Sequence, residues 1–417
     1  MKSTVLACIA ALTLFAIMGI SDARAGDTFK VLHEFGLGND GWTPESGLVL
    51  DNAGNLYGTT TAGGTGCSSN PGCGIVFELT PNANGSWTEG ILHNFTGTDG
   101  AHPYAAPVFD SRGNLYGTTH GDGVNNQGTV FELSADSSGT WNALLLHSFT
   151  GGWDGAYPYG GVSLDSSGRV YGTTSSAGTY NDGVTFNVTG QAIGGEIVLH
   201  TFAGGSDGIG PTSTLISDAS GNLYGTTYSG GSNGAGTIFK VSPNRHSPGW
   251  AQTLLYTFRT TQFGSGVDGA NPYAGLVLDA SGNLYGTTLF GGSAGGGTVF
   301  KVSPNADGSW TESIIYAFQG ALDGNTPYGS LVFDAAGNLY GTTAGGGPRG
   351  YGTVFKLTPS LSGQWTETIL YGFSGGVDGG WPGGGVILDK AGNLYGTAAI
   401  GGYQGLQNAG VVFEITP

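Results

Sequence analysis

His102 stands in an Asp-Gly-x-x-Pro segment, and His120 with Asp122 stands in a nearby glycine-rich segment. An imidazole titrates near neutral pH and a carboxylate can orient it, so this set suits a base with its orienter, or a share of a metal shell. Arg349 with Tyr351, and Tyr180 with Asp182, are further pairs confined to single stretches. An Arg–Tyr pair suits the neutralisation and deprotonation of a uronic acid sugar. Each group reads more readily as polar decoration of an exposed loop. No Gly-x-Ser-x-Gly elbow lies on a strand-to-helix turn, and no phosphate loop or His-Glu-x-x-His is present.

Aromatic residues gather in the same kind of segment. Trp42, Tyr104, Trp153, Tyr157, Tyr159, Tyr273, Tyr328 and Trp381 lie within the Asp-Gly connections or just after their proline. Flat rings there can stack on sugar rings, with apolar area as the driving term. The tyrosines after proline fit equally well as plugs between packed units. Trp42, Tyr104, Trp153, Tyr157 and Trp381 are the candidate ligand-binding residues.

Two repeated sets invite a different reading. Asp40, Asp99, Asp154, Asp207, Asp268, Asp323 and Asp378 precede or adjoin Gly in every connection. Seven carboxylates around one mouth suit a cation, but an Asp ahead of Gly bonds the amides of its own turn, and calcium needs six to eight converging oxygens. His33, His93, His147 and His200 precede Phe by two residues, where later copies have Tyr256, Tyr316 and Tyr371. That exchange reads as packing. No metal site or cofactor is therefore expected, and a bound cation is left open without support from the spacing.

These residues are positioned by a repeat. The phrase Asp-x-x-Gly-Asn-Leu-Tyr-Gly-Thr-Thr starts at Asp51, Asp110, Asp165, Asp218, Asp279, Asp334 and Asp389, at intervals of 59, 55, 53, 61, 55 and 55 residues. In the sixth unit, Ser330 to Phe333 is a short apolar run closed by the turn Asp334-Ala335-Ala336-Gly337, and Asn338 to Thr343 is its hairpin partner. Gly352 to Leu357 is a third strand. Trp365 to Phe373 is a fourth, in which period-two alternation puts Trp365, Ile369, Tyr371 and Phe373 on one face. Four antiparallel strands per unit, seven times over, predict an all-β, seven-bladed β-propeller. An open β-solenoid is disfavoured because its coils repeat at about 20–30 residues. Tyr57 and its equivalents should pack between blades, with Gly58 and its equivalents admitting a neighbouring aromatic close to the backbone. Thr28 to Phe35 aligns with a fourth strand, and Gly410 to Ile415 with a third. The N-terminal strand should thus complete the last blade from outside and remove two free edges.

Composition limits the partners. Met1-Lys2, an apolar run from Val5 to Ile20 and Ala23-Arg24-Ala25 form a secretory signal peptide, residues 1–25, with cleavage near Ala25. Cys8 is too near the start for a lipoprotein box to be favoured. The remaining domain, 26–417, carries 10 basic and 28 acidic side chains, so nucleic acid is excluded as a partner. Hydrophobic content of 38% supplies a core and rules out disorder, while 83 glycines and a charged fraction of 10% suit a secreted all-β chain. No further segment is long and apolar enough to span a membrane. Cys67 and Cys73 should form a small loop-closing disulfide.

Taken together, Gly-Asn-Leu-Tyr-Gly-Thr-Thr, Gly-Thr-Val-Phe-Lys-Leu and Asp-Gly-x-x-Pro closely resemble the GloVer tandem repeats of the choice-of-anchor bacterial proteins, across residues 28–417. The resemblance implies a bacterial, exported, repeat-built protein often joined to a C-terminal anchor; it implies no reaction. This chain reaches Pro417 with no anchor pattern, so release to the outside or the periplasm is expected. The third unit departs from the pattern, with Arg169-Val170 in place of Asn-Leu and no Trp near Gly190-Gln191. The leading functional expectation is a secreted monomer that binds an extracellular polysaccharide or a protein through its loop-rich face. The alternatives are a polysaccharide lyase or glycoside hydrolase using His102, His120, Asp122, Arg349 or Tyr351, and a structural envelope or matrix protein.

Overall fold

The repeated phrase ties its own hairpin together. Asp51 Oδ1 accepts from the amides of Ala53 and Asn55, both at 2.8 Å, while Oδ2 accepts from Asn55 Nδ2 at 2.9 Å and the Tyr57 hydroxyl at 3.2 Å. The same knot forms at Asp218, Asp279, Asp334 and Asp389. One carboxylate thereby satisfies the turn amides and anchors the tyrosine that reaches between blades.

The computed structural model describes residues 28–36, 39–67, 71–189, 195–244, 249–259, 266–402 and 409–416. The expected signal peptide, Gly190-Gln191 and Pro417 lie outside the described residues. Seven antiparallel sheets of four strands form a seven-bladed β-propeller. Blade 1 consists of Val49–Leu50, Leu56–Thr60, Ile75–Pro81 and Trp87–Asn94, in sequence and spatial order. Blades 2 to 6 repeat this order through Trp365–Gly372, and blade 4 adds Ile209–Pro211 at its edge. Blade 7 joins Val386–Leu388, Leu394–Ala398 and Val411–Thr416 to the N-terminal strand Thr28–Glu34. That strand pairs from Thr28 opposite Thr416 to Glu34 opposite Val411. Closure follows the sequence expectation. Among the described residues no helix is long and apolar enough to cross a membrane.

The core lies between blades. Tyr57 meets Phe109 of the next blade edge-on at 4.9 Å between centroids. Gly58 opposes Phe77, and a Cβ there would lie 2.6 Å from the ring, so only glycine fits. The first strands, two residues long in six blades and three in blade 7, are the innermost. Small residues lead into them because neighbouring backbones converge; a Cβ on Gly160 would lie 2.6 Å from the Ser213 backbone.

The expected common face of the fourth strand is broken by a bulge. In blade 6, Ile369 opposes Phe355 whereas Tyr371 opposes Val354, leaving Leu370 as the extra residue. Trp365 therefore packs with Leu339 and Phe355 toward blade 5, while Tyr371 and Phe373 pack with Val411 and Phe413 toward blade 7. The same register shift occurs in every blade. Simple alternation fails because the bulge lets one strand feed two interfaces.

A second device links blades. The residue before the connection proline is left-handed in all of them, with φ of 54° to 58° at Thr43, His102, Tyr157, Asn271, Thr326 and Trp381 and 65° at Gly210. Its amide donates to the loop of the preceding blade, as His102 N does to Cys73 O at 2.9 Å. Its carbonyl accepts from its own blade, as His102 O does from His120 N at 3.1 Å. This unfavoured conformation persists because two hydrogen bonds hold it, one across the blade boundary and one within its own blade.

Candidate functional site

The residue after each connection proline points the chain into the innermost strand. Those seven positions are Glu45, Tyr104, Tyr159, Thr212, Tyr273, Tyr328 and Gly383, and all seven line one cavity of 400 Å³ at the mouth of the central channel. Every blade contributes to its wall. Adjacent tyrosines touch around the rim. Tyr104 and Tyr159 have centroids 5.1 Å apart, Tyr159 and Tyr273 6.0 Å, and Tyr273 and Tyr328 4.3 Å. Tyr228 closes edge-on against Tyr273 at 6.3 Å. The result is an aromatic arc interrupted by Thr212 and Gly383, with Glu45 the one carboxylate.

Burial sets the ionisation of this mouth. It raises the Glu45 carboxyl above the usual range. Burial, then the Glu45 charge and the Tyr159 ring, push the Tyr104 phenol up to about 12. Tyr159, Tyr273 and Tyr328 are raised for the same leading reason. The arc therefore presents protonated hydroxyls, each a donor and an acceptor, around a single acid.

His120 belongs to the arc from behind. Its ring lies 5.3 Å from Tyr104, 5.2 Å from Tyr157 and 4.2 Å from Tyr159. Burial, then His102, bring it down to about 4, so it is neutral at neutral pH. The expected dyad with Asp122 does not form. Among the described residues no hydrogen bond joins the two, and Asp122 Oδ2 instead faces Cys73 Sγ at 3.9 Å. His102 is also engaged elsewhere, with Nδ1 2.7 Å from Thr61 O. Cys67 and Cys73 are joined by a disulfide, with Cα atoms 5.7 Å apart, and it braces the loop on which His102 docks.

Other predicted residues stand apart from the mouth. Arg349 Nη1 lies 3.9 Å from Asp378 Oδ2, and the Tyr351 ring covers Gly375, so neither converges with His102 or His120 on the channel. Tyr180 is exposed, and Asp182 sits beside Gly204. Trp42, Trp153 and Trp381 are 39%, 62% and 56% exposed on the connections of the same face, outside the cavity wall. The seven connection aspartates do not ring the mouth. Each accepts from an amide of its own loop and pairs with the fourth-strand His or Tyr, at 3.3 Å for His33–Asp40, 2.8 Å for His93–Asp99 and 3.0 Å for Tyr371–Asp378. His and Tyr exchange there because each brings a polar hydrogen to the same carboxylate.

The model of the Gloeobacter/Verrucomicrobia repeat matches residues 14–186, 138–311 and 252–417. The chain belongs to this repeat family. No curated protein is similar in sequence. Among solved structures, a protein of unknown function from Dyadobacter fermentans is 9% identical and aligns over 94% of this chain and 100% of its own, with a TM-score of 0.44. A luciferin-regenerating enzyme is 14% identical over 94% and 96%, with a TM-score of 0.42. A putative glucose dehydrogenase of Thermus thermophilus is 15% identical over 94% and 100%, with a TM-score of 0.41. Likeness at this level carries nothing about activity.

Within the Gloeobacter/Verrucomicrobia repeat the mouth occupies one register position, directly after the proline. Reading down the seven copies gives Glu, Tyr, Tyr, Thr, Tyr, Tyr, Gly. Sequence reasoning misses Glu45 because it takes the tyrosines as a class and does not read the column as a ring.

Proposed function

We propose that this repeat protein is an exported binding module that holds a saccharide at the channel mouth. One observation carries the reading: a single column of the repeat, directly after the proline, supplies Tyr104, Tyr159, Tyr273, Tyr328 and Glu45 to a single cavity. Flat ring faces suit the C–H faces of pyranoses, and phenol and carboxyl oxygens suit their hydroxyls. Exposed Trp42, Trp153 and Trp381 on the same face extend the reading to a polymer that leaves the mouth. The N-terminal signal pattern supports export, and the acidic surface speaks against nucleic acid.

Catalysis has less support. Glycoside hydrolysis uses two flanking carboxyls, and Glu45 is the only carboxylate among the residues lining the cavity. A lyase base would have to be a phenol held protonated or an imidazole of low basicity.

The test is retention and calorimetry on a panel of neutral and acidic polysaccharides, with reducing ends and unsaturated sugars assayed in the same samples. Binding that weakens at least about tenfold in Tyr159→Ala and Glu45→Gln, without products, supports the module. Products that disappear in Glu45→Gln replace it with a hydrolytic reading. Absence of binding to every glycan sinks it and directs attention to a protein partner.

A further inference from the structure

The blade interfaces carry a second sevenfold series, independent of the mouth. At each one, a fourth-strand His or Tyr pairs with a connection Asp, and one register position in the fourth strand of the next blade faces the pair. That position is Glu89, Ala143, Glu196, Gln252, Glu312, Glu367 or Phe29. Two interfaces combine His with Glu. Between blades 2 and 3, His147 Nε2 lies 3.2 Å from Asp154 Oδ2 and 3.8 Å from Glu196 Oε2. The three ligand atoms all lie within 4.8 Å of one another. The Glu196 side chain is 2% exposed, and neither of its oxygens accepts a hydrogen bond. Two buried carboxyls and one imidazole, with a carboxyl left unpartnered, call for a positive charge between them.

We propose that His147, Asp154 and Glu196 form a divalent-cation site, for Zn²⁺ by ligand chemistry, that clamps blade 2 to blade 3. A more open copy, His33, Asp40 and Glu89, sits between blades 7 and 1, with His33 Nε2 3.3 Å from Asp40 Oδ2 and 3.8 Å from Glu89 Oε1. Tetrahedral zinc, with bonds of about 2.0–2.2 Å, separates its ligands by roughly 3.3–3.6 Å, so the histidine-to-carboxylate spacings need shifts of only a few tenths of an ångström, and the two carboxylates, within 4.8 Å of each other, close on the ion. Asp154 is held for the task by the amide and hydroxyl of Thr150. Glu196 has both oxygens available and can bind through one or both. Without a cation, burial and then Asp154 push the Glu196 carboxyl up to about 8, so a proton stands in and zinc affinity rises with pH.

The other interfaces lack the set. His93 and His200 face Ala143 and Gln252, and Tyr256 and Tyr316 replace the imidazole where Glu312 and Glu367 remain. His147→Tyr therefore copies a side chain that blades 4 and 5 already use, and keeps a donor for Asp154.

Purified untagged protein is stripped with a chelator, dialysed against micromolar Zn²⁺ and analysed for bound metal and unfolding temperature. The wild type is expected to retain two equivalents and to unfold at a higher temperature with zinc. His147→Tyr is expected to match the stripped wild type without zinc but to retain one equivalent fewer, and Glu196→Gln to weaken that site at least about tenfold. His33→Tyr is expected to lose the other equivalent. No retained zinc in folded wild type overturns the proposal. Retention unchanged in both His147→Tyr and Glu196→Gln overturns the blade 2–3 site, and retention unchanged in His33→Tyr overturns the second.

Discussion

The imidazole of His120 lies 4.2 Å from the ring of Tyr159, centroid to centroid, and so a blade 2 loop braces a blade 3 residue at the channel mouth. Burial is the main reason His120 titrates at about 4. Tyr159→Ala opens that side to water and should bring the imidazole back toward its ordinary value near 6.5. Proton NMR titration, assigned with His120→Ala, measures it. A His120 that still titrates below 5 in Tyr159→Ala would show that Tyr159 does not shield it.

The interblade glutamates set a pH dependence. Burial is the leading cause at each; it holds Glu89, Glu312 and Glu367 at about 7 and Glu196 at about 8, against 4.5 when unfolded. Asp40, Asp154, Asp268 and Asp323 face them and add to the rise, while His33 and Arg259 oppose it. The native state then binds more protons than the unfolded chain. The contribution is complete below about 4.5 and is lost as pH rises through 7 to 8. In chelator, the unfolding temperature should fall between pH 5 and pH 8.5. Glu196→Gln should flatten the fall by an amount on the order of 1 kcal/mol. An equal slope in the variant would count against this origin.

The hairpin knot predicts a local cost. Asp334 accepts four hydrogen bonds, from Ala336 N, Asn338 N, Asn338 Nδ2 and the Tyr340 hydroxyl. Asp334→Ala should destabilise the fold by about 1–3 kcal/mol in urea unfolding, because the two turn amides and Asn338 Nδ2 lose their shared acceptor. Asp307→Ala, in an exposed turn bonded only to Ser309, should leave the midpoint nearly unchanged.

The left-handed residue before proline offers a test in the stabilising direction. Thr326 is β-branched at φ 54°, where Gly210 has the equivalent place in blade 4. Thr326→Gly relieves the left-handed strain and loses a 3.3 Å contact to Asn325, so stability should rise by about 0.5–1 kcal/mol. A lower urea midpoint would mean that the threonine methyl contributes packing that outweighs the strain.

Closure depends on the first strand. Phe29 stacks on Tyr371 at 3.8 Å and 9°, and its neighbour Phe413 lies 5.7 Å away. Phe29→Ala should cost about 2–4 kcal/mol. Deleting Thr28–Glu34 bares the edge of Val411–Thr416 and should give aggregates on size exclusion. A monodisperse, folded deletion product would show that the ring closes without this strand.

Much of the architecture is local and therefore legible in the chain. An Asp that bonds amides two and four residues on, a Gly that a facing Phe requires, and a period near 55 residues are all short-range facts, and they determine the blade, the count of seven and the strand that seals the ring. Cys67 and Cys73 are close enough to be read as a pair for the same reason. The bulge at Leu370 and its six counterparts is not legible, because it answers to two neighbouring blades at once. The mouth is decided only by closure: Glu45 and Tyr328 are far apart in sequence and share one cavity wall because seven inner strands converge. The same holds for Glu196 beside His147, since one repeat supplies the acid and the preceding repeat supplies the imidazole. Periodicity prescribes what every copy has, and the ring decides which differences between copies meet.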